Sequence, residues 1–236
     1  MSPLLQAPWV TSSIFRVDWL HCADQGIAAD FLGALFWYMQ QHKMPGNSVK
    51  ERTAELWTRV QAFYTANAVT DRLQNLVPTM IRQQKKWPKL RSSAAQCRAL
   101  IEFGYQLARA ECDRRSPVEE ALMTAMGHLR ECYRALSQAS IFAKDVMKDQ
   151  STKFALQFVA LELFDPINFR IKPKLHLFLH VCSEGSTPAS VWTYRDEDAG
   201  GTIAKFCRRR GGLLSLRAFS LNLLDRVRMQ PMVRMV

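Results

Sequence analysis

No stretch of this 236-residue chain reaches the ~18 to 20 uncharged apolar residues that a membrane-spanning helix requires. The amino terminus also lacks the basic-then-apolar layout of a secretory signal. Both absences lead to the expectation of a soluble, intracellular protein with no membrane partner. Paired-cysteine motifs are missing too. Cys22, Cys97, Cys112, Cys132, Cys182 and Cys207 are scattered with no CxxC pair, so neither a zinc ribbon nor a disulfide scaffold is indicated, and reduced, mostly buried thiols are expected. There is no internal repeat and no low-complexity tract. Strand-like alternation is scarce, confined to "SSIFRVDWL" near the start and "VWTY" at 191–194.

What is present is helical spacing. Hydrophobic residues make up 48% of the chain, enough for one large domain or two small ones. Ile27, Phe31, Leu32, Leu35, Phe36 and Met39 form a helical stripe over Ala23–Gln41, ended by "HKMPG". "SVKE" starts the next helix, with Ser48 as cap and Glu51 reaching back; Leu56, Val60, Phe63 and Tyr64 are its stripe. A further helix is expected from Thr70 and Asp71 through Leu73, Leu76, Val77, Met80 and Ile81, with a kink or early stop at Pro78. Others are expected over Ser93–Cys112, from "SPVEE" onward with Ser116, Pro117 and Glu119 at its start, over 138–164, and over "KLHLFLHVCSE". The expected fold is mainly α, a helical bundle with one or two short extended segments near the ends. Residues 1–185 form an insertion-like helical domain, and 186–236 a short strand with basic terminal helices.

Lysine and arginine outnumber aspartate and glutamate by 32 to 21, a formal charge of +11. The excess is uneven: one arginine faces three aspartates up to His42, so that segment carries about −2 and the remainder about +13. Such an imbalance favours a polyanionic partner, nucleic acid first.

Four constellations could carry chemistry. In "DWLH", Asp18 and His21 stand i, i+3, close enough for the carboxylate to orient the imidazole or for both to face one metal or phosphate. The same spacing fits Asp18 as a helix cap with His21 in its first turn. Asp24 and Asp30 fit a solvated face. In "KPKLHLFLHVCSE", His176, His180 and Glu184 lie on one helical ridge; the pair could ligate a metal, but the general base of HExxH is absent, so a hydrogen-bonded inter-helix histidine pair is the alternative. In "VWTYRDEDAGGTIAKFCRRRGG", Asp196, Glu197 and Asp198 precede a helix ending in Arg208, Arg209 and Arg210, fitting either dipole-favoured capping or a carboxylate on a divalent ion with arginines along a phosphate backbone. From Thr202 to the end there are eight basic residues, Lys205 among them, and one acid. Finally, Lys85, Lys86, Trp87, Lys89 and Arg91 have the composition of a nucleic-acid-contacting loop or of a solvated connector.

"DWLH" followed by an apolar helix resembles the D-x-x-H signature of cut-and-paste DNA transposases with an RNase H-like core, notably the CACTA and related groups. "KPKLHLFLHVC" is similar to their P-K-x-H-x-x-x-H segment, and "WTYRDEDAGGTIAKFCRRRGG" to the segment presenting the last glutamate at the start of a helix. The likeness spans about Ile14–Gly212, extends to the repetitive transposon-like reading frames of dinoflagellates, and corresponds to the helical insertion and last-acid helix, the C-terminal part of such an enzyme.

The resemblance implies Asp18, His21 and Glu197 as vestigial catalytic residues. It implies a divalent ion, Mg or Mn, on Asp18 and Glu197 in an intact enzyme, with His176 and His180 as further candidate ligands. DNA is the implied partner, bound through Lys85, Lys86, Lys89, Arg91, Lys205 and Arg208–Arg210, and the implied location is nuclear in a eukaryote. Only seventeen residues precede Asp18, too few for the strands that bear the first two catalytic acids, so a catalytically incomplete domain is expected. A single site requires Asp18 and Glu197 to converge within ~10 Å. Two other readings remain: a helical scaffold whose acid–histidine pairs are structural, and a hydrolase with Asp18, His21, His176, His180 and Glu197 round a metal.

Overall fold

A computed structural model describes residues 16–84, 86–137, 144–183, 188 and 192–194. The chain divides into two units, Met1–Trp192 and Thr193–Val236, and almost all described residues belong to the first. The described fold is mainly α with no strand among the described residues. Trp192 and Thr193 of the expected strand have no regular structure, and Arg16 to Asp18 enter the first helix without one.

The first element is a π-helical segment, Leu20–Ala28, which runs directly into α1, Ala29–His42. Together they form the central rod. Phe31, Leu32, Leu35, Phe36 and Met39 of α1 are buried, and its other sides are nearly as covered, as expected of a helix apolar all round. Among the described residues, seven helices surround it: α2 (Val49–Ala66), α3 (Pro78–Ile81), α4 (Ala94–Ala99), α5 (Ile101–Glu111), α6 (Pro117–Ser137), α7 (Lys144–Phe164) and α8 (Lys174–Ser183).

Helix starts follow local chemistry. Ser48 accepts the Glu51 N–H at 3.1 Å, while the Glu51 carboxylate accepts the N–H of Asn47 at 2.7 Å, one residue short of the expected box. That hydrogen bond, with the one from Ser48, holds the Glu51 carboxyl below its ordinary value. A full capping box forms instead at Ser93 and Gln96.

Two expectations about helix length are corrected. The helix placed from Thr70 is only the single turn Pro78–Ile81: Pro78 stands at its first position, where a missing N–H costs nothing, and cannot continue a helix from before it. Leu73 and Leu76 are nevertheless buried. The helix placed over Ser93–Cys112 breaks at Leu100, whose N–H turns to the Cys97 carbonyl at 3.1 Å and so separates α4 from α5. This break sits beside Gly104, where Leu32 of α1 approaches within 2.7 Å of the position a Cβ would occupy.

Aromatic side chains tie the rod to its surroundings. Trp19 meets Tyr133 of α6 at 5.5 Å and Phe178 of α8 at 5.7 Å; Phe178 meets Phe154 of α7 at 6.0 Å; Phe154 and Phe158 meet Phe31 of α1 at 5.2 and 5.4 Å. All but the tilted Trp19–Phe178 pair are edge-to-face, and such pairs each contribute about 0.5–1.5 kcal/mol beyond their buried area. Of the cysteines, Cys22, Cys97, Cys132 and Cys182 are buried and Cys112 half-buried, all as free thiols, while Cys207 lies outside the described residues.

Candidate functional site

The turn that opens the π-helical segment holds the first constellation. Oδ2 of Asp18 accepts the backbone N–H of His21 at 2.9 Å and lies 2.5 Å from Nδ1 of its ring. Both roles foreseen for Asp18 are therefore filled by one oxygen: it caps the turn and fixes the imidazole. An ionised carboxylate only accepts, so the proton of this contact sits on Nδ1. The His21 side chain is 56% exposed and that of Asp18 16%, which presents the ring, not the acid, at the surface.

Asp24 and Asp30 depart from expectation. Both are buried, Asp24 completely. Asp24 accepts from Tyr133 Oη at 2.6 Å, from an Arg98 guanidinium nitrogen at 3.1 Å and from Trp19 Nε1 at 3.3 Å. Oδ1 of Asp30 faces Lys172 Nζ at 2.8 Å and Lys89 Nζ at 3.7 Å. Every one of these partners except Trp19 comes from a distant segment. That is why a buried, paired carboxylate looked solvated in the sequence.

Three lysines run along the outer side of this rod. Lys89 Nζ donates to the carbonyl of Gln25 at 2.7 Å, and Lys174 Nζ to that of His21 at 2.8 Å, one helical turn earlier. Lys172 completes the row on Asp30. Burial, the largest cause, pushes the Lys89 ammonium below its ordinary value; Asp30 opposes this, and the nearby charges of Lys174 and Lys172 add to it. Lys89, placed by its neighbours in a surface patch, thus folds back along the rod with its side chain still 42% exposed, and its backbone lies so close to α1 that a Cβ on Gly33 would stand 2.4 Å from its Cα.

The rest of that patch is a loop tied down on both sides. Leu90 N–H bonds to the Ala29 carbonyl at 2.8 Å, and Arg82 Nε to the carbonyl of Lys86 at 2.9 Å. Lys86 and Arg91 are exposed, and Trp87 is 47% exposed. Trp87 Nε1 reaches the carbonyl of Pro166 at 3.4 Å, and the guanidinium of Arg170 lies 5.5 Å from the ring centre. Lys85 lies outside the described residues.

His176 and His180 share one hydrogen bond, Nε2 to Nε2 at 2.9 Å, with their rings perpendicular. The pair is exposed on α8 itself, so the expected bond between two helices is a bond within one. Among the described residues, no three of the histidines, cysteines and acids gather as a metal-holding group. Glu184, Asp196, Glu197, Asp198, Lys205 and Arg208–Arg210 all lie outside the described residues, as therefore does the convergence of Asp18 with Glu197.

Sequence reasoning missed Lys172 and Lys174 as members of the site, although both stand in the quoted "KPKLH" segment. Their signal was the Lys-Pro-Lys spacing, two cations held at a helix entrance by a proline. The chain matches no family model, no curated protein and no solved structure.

Proposed function

We propose that this is a transposase-derived helical domain that binds duplex DNA through its basic surfaces and cleaves no strand on its own. The observation that carries the reading is the meeting of its first two motif segments. Lys174 of "KPKLH" donates to the carbonyl of His21 of "DWLH" at 2.8 Å, 153 residues apart, and Phe178 packs on Trp19 between them. Two stretches that carry the resemblance separately in sequence thus meet in space, with Lys174 held at the residue whose imidazole Asp18 orients. On this reading His21 and Asp18 position rather than react, because two-metal phosphoryl transfer needs acids on both ions.

Lys86, Arg91 and Arg170 around the exposed Trp87 add a second contact region, cationic with an aromatic at its centre. Mobility shift of a labelled 20-bp duplex by the purified chain, with EDTA and with Mg2+ or Mn2+, tests the reading. A shift at micromolar protein without metal, with both strands intact in every lane, is expected. Absence of a shift at low salt overturns it.

A second reading, an interaction scaffold, is favoured by one observation. Leu156, Val159, Leu163 and Phe164 on α7 are 64%, 42%, 78% and 52% exposed, an apolar stripe of the kind that contacts other proteins. A failed mobility shift leaves this second reading standing.

A further inference from the structure

We propose that Lys89, Lys172 and Lys174 form a phosphate-binding cluster on the rod made by the π-helical segment and α1. The inference rests on the DNA-binding reading only for the source of the phosphate, a backbone phosphodiester, and not for the site itself.

Three ammonium groups, on the loop before α4 and at the entrance of α8, are drawn to one short stretch of the rod, where a single carboxylate, Asp30, faces two of them. Each ammonium has three N–H donors. Lys172 spends one on Asp30, Lys174 one on the His21 carbonyl and Lys89 one on the Gln25 carbonyl, with Asp30 facing Lys89 at 3.7 Å as an ion pair. The remaining donors belong to side chains that are only partly buried, 33% exposed at Lys172 and 42% at Lys89, so a ligand can reach them from solvent.

The cluster is also built before any ligand arrives. Asp30 and two main-chain carbonyls hold the ammonium groups in place, and the stem of Lys174 lies over Gly26, where a Cβ would stand 2.9 Å from its Cδ. Three ammonium groups this close repel one another: the charges of Lys174 and Lys172 add to the burial that chiefly holds Lys89 below its ordinary value. A phosphate anion placed among the ammonium groups relieves that repulsion. The preference is for a phosphate over a carboxylate, because a tetrahedral oxyanion offers oxygens to three ammonium groups at once.

Lysine acetylation footprinting of the full chain with a water-soluble acetylating ester, read by peptide mass spectrometry, tests this without any variant. The probes are inorganic phosphate and a 20-bp duplex; the exposed Lys50 and Lys148 serve as references. Slowing of Lys89, Lys172 and Lys174 by at least threefold relative to those references, with either probe, is expected. Slowing by the duplex alone assigns the site to DNA. Slowing by phosphate alone, with no mobility shift, keeps the cluster and removes the DNA-binding reading. No slowing by either probe, while the duplex still shifts, overturns the cluster and leaves that reading intact. As a second arm, Lys172→Gln and Lys174→Gln each weaken duplex binding several-fold at 50 mM salt, read well below the melting temperature of each variant because Lys172→Gln also takes the nearest ammonium from the buried Asp30, whereas Lys148→Gln leaves binding unchanged. Equal binding by all three variants overturns the proposal.

Discussion

The phenolic hydroxyl of Tyr133 donates to Oδ1 of Asp24 over 2.6 Å, linking α6 to the π-helical segment across 109 residues. Asp24 has no solvent exposure, so what it loses from the protein it cannot recover from water. Tyr133→Phe is expected to cost about 1–3 kcal/mol in urea unfolding followed by circular dichroism. An unchanged midpoint contradicts the assignment of Asp24 as a satisfied buried anchor.

Alkaline pH acts on the same network. Burial, then the charge of Asp24, holds the Tyr133 phenol well above its ordinary value of 10.0, and burial with the Glu119 contact does the same for Tyr38. In the unfolded chain both ionise near their ordinary value. The stability they contribute is therefore complete below pH ~10 and is lost as pH rises toward the folded values, because only the unfolded state gains by ionising. Absorbance at 295 nm is expected to show these two tyrosines un-ionised until the fold melts.

Acid acts through Glu119. Its carboxylate accepts from Tyr38 Oη at 2.9 Å and the Asp113 N–H at 2.5 Å, and pairs with Lys43 at 2.8 Å. Burial pushes its carboxyl upward, but Lys43, the Asp113 amide and Tyr38 together outweigh it and hold the value below 4.5. The resulting stability is present above the unfolded value and lost as pH falls through the folded one. Glu119→Gln is expected to cost roughly 1.5–3 kcal/mol at pH 7, the gap to the unmodified chain narrowing at pH 3 in matched urea melts.

Two helical glycines should respond in opposite directions to alanine. Gly33→Ala places a Cβ 2.4 Å from the Lys89 Cα and 2.5 Å from the Leu90 nitrogen, backbone that is itself bonded to Ile81 and Ala29, and is expected to cost more than about 2 kcal/mol. At Gly127 the nearest atom is 3.6 Å away, ordinary contact, so alanine is expected to stabilise by up to about 1 kcal/mol. Thermal melts of the two variants read the signs directly.

The helical architecture was legible because it rests on local signals: the cap at Ser48, Pro117 at a helix start, and stripes such as Leu122, Met126 and Leu129 that are buried as their spacing requires. The Asp18–His21 contact was legible for the same reason, being three residues long. Asp24 and Asp30 were not, since what makes a buried carboxylate tolerable is a partner, and theirs, Trp19 apart, lie 59 to 142 residues away. Glu119 misled in the same way: its spacing from Ser116 suggested a cap, but its side chain is taken by Lys43 and Tyr38 of the neighbouring elements. The basic loop was legible as composition only, because composition does not say that Lys89 is tied to the Gln25 carbonyl and Asp30 while Lys86 and Arg91 face water.

The slope of log Kobs against log salt concentration for a labelled 20-bp duplex, between 50 and 200 mM, bears most directly on the DNA-binding account. With about four phosphates neutralised, by the three lysines of the rod and the loop beside Trp87, the expected slope is about −3.6, roughly a hundredfold loss over that range. A slope near zero, or no measurable affinity at 50 mM salt, contradicts it.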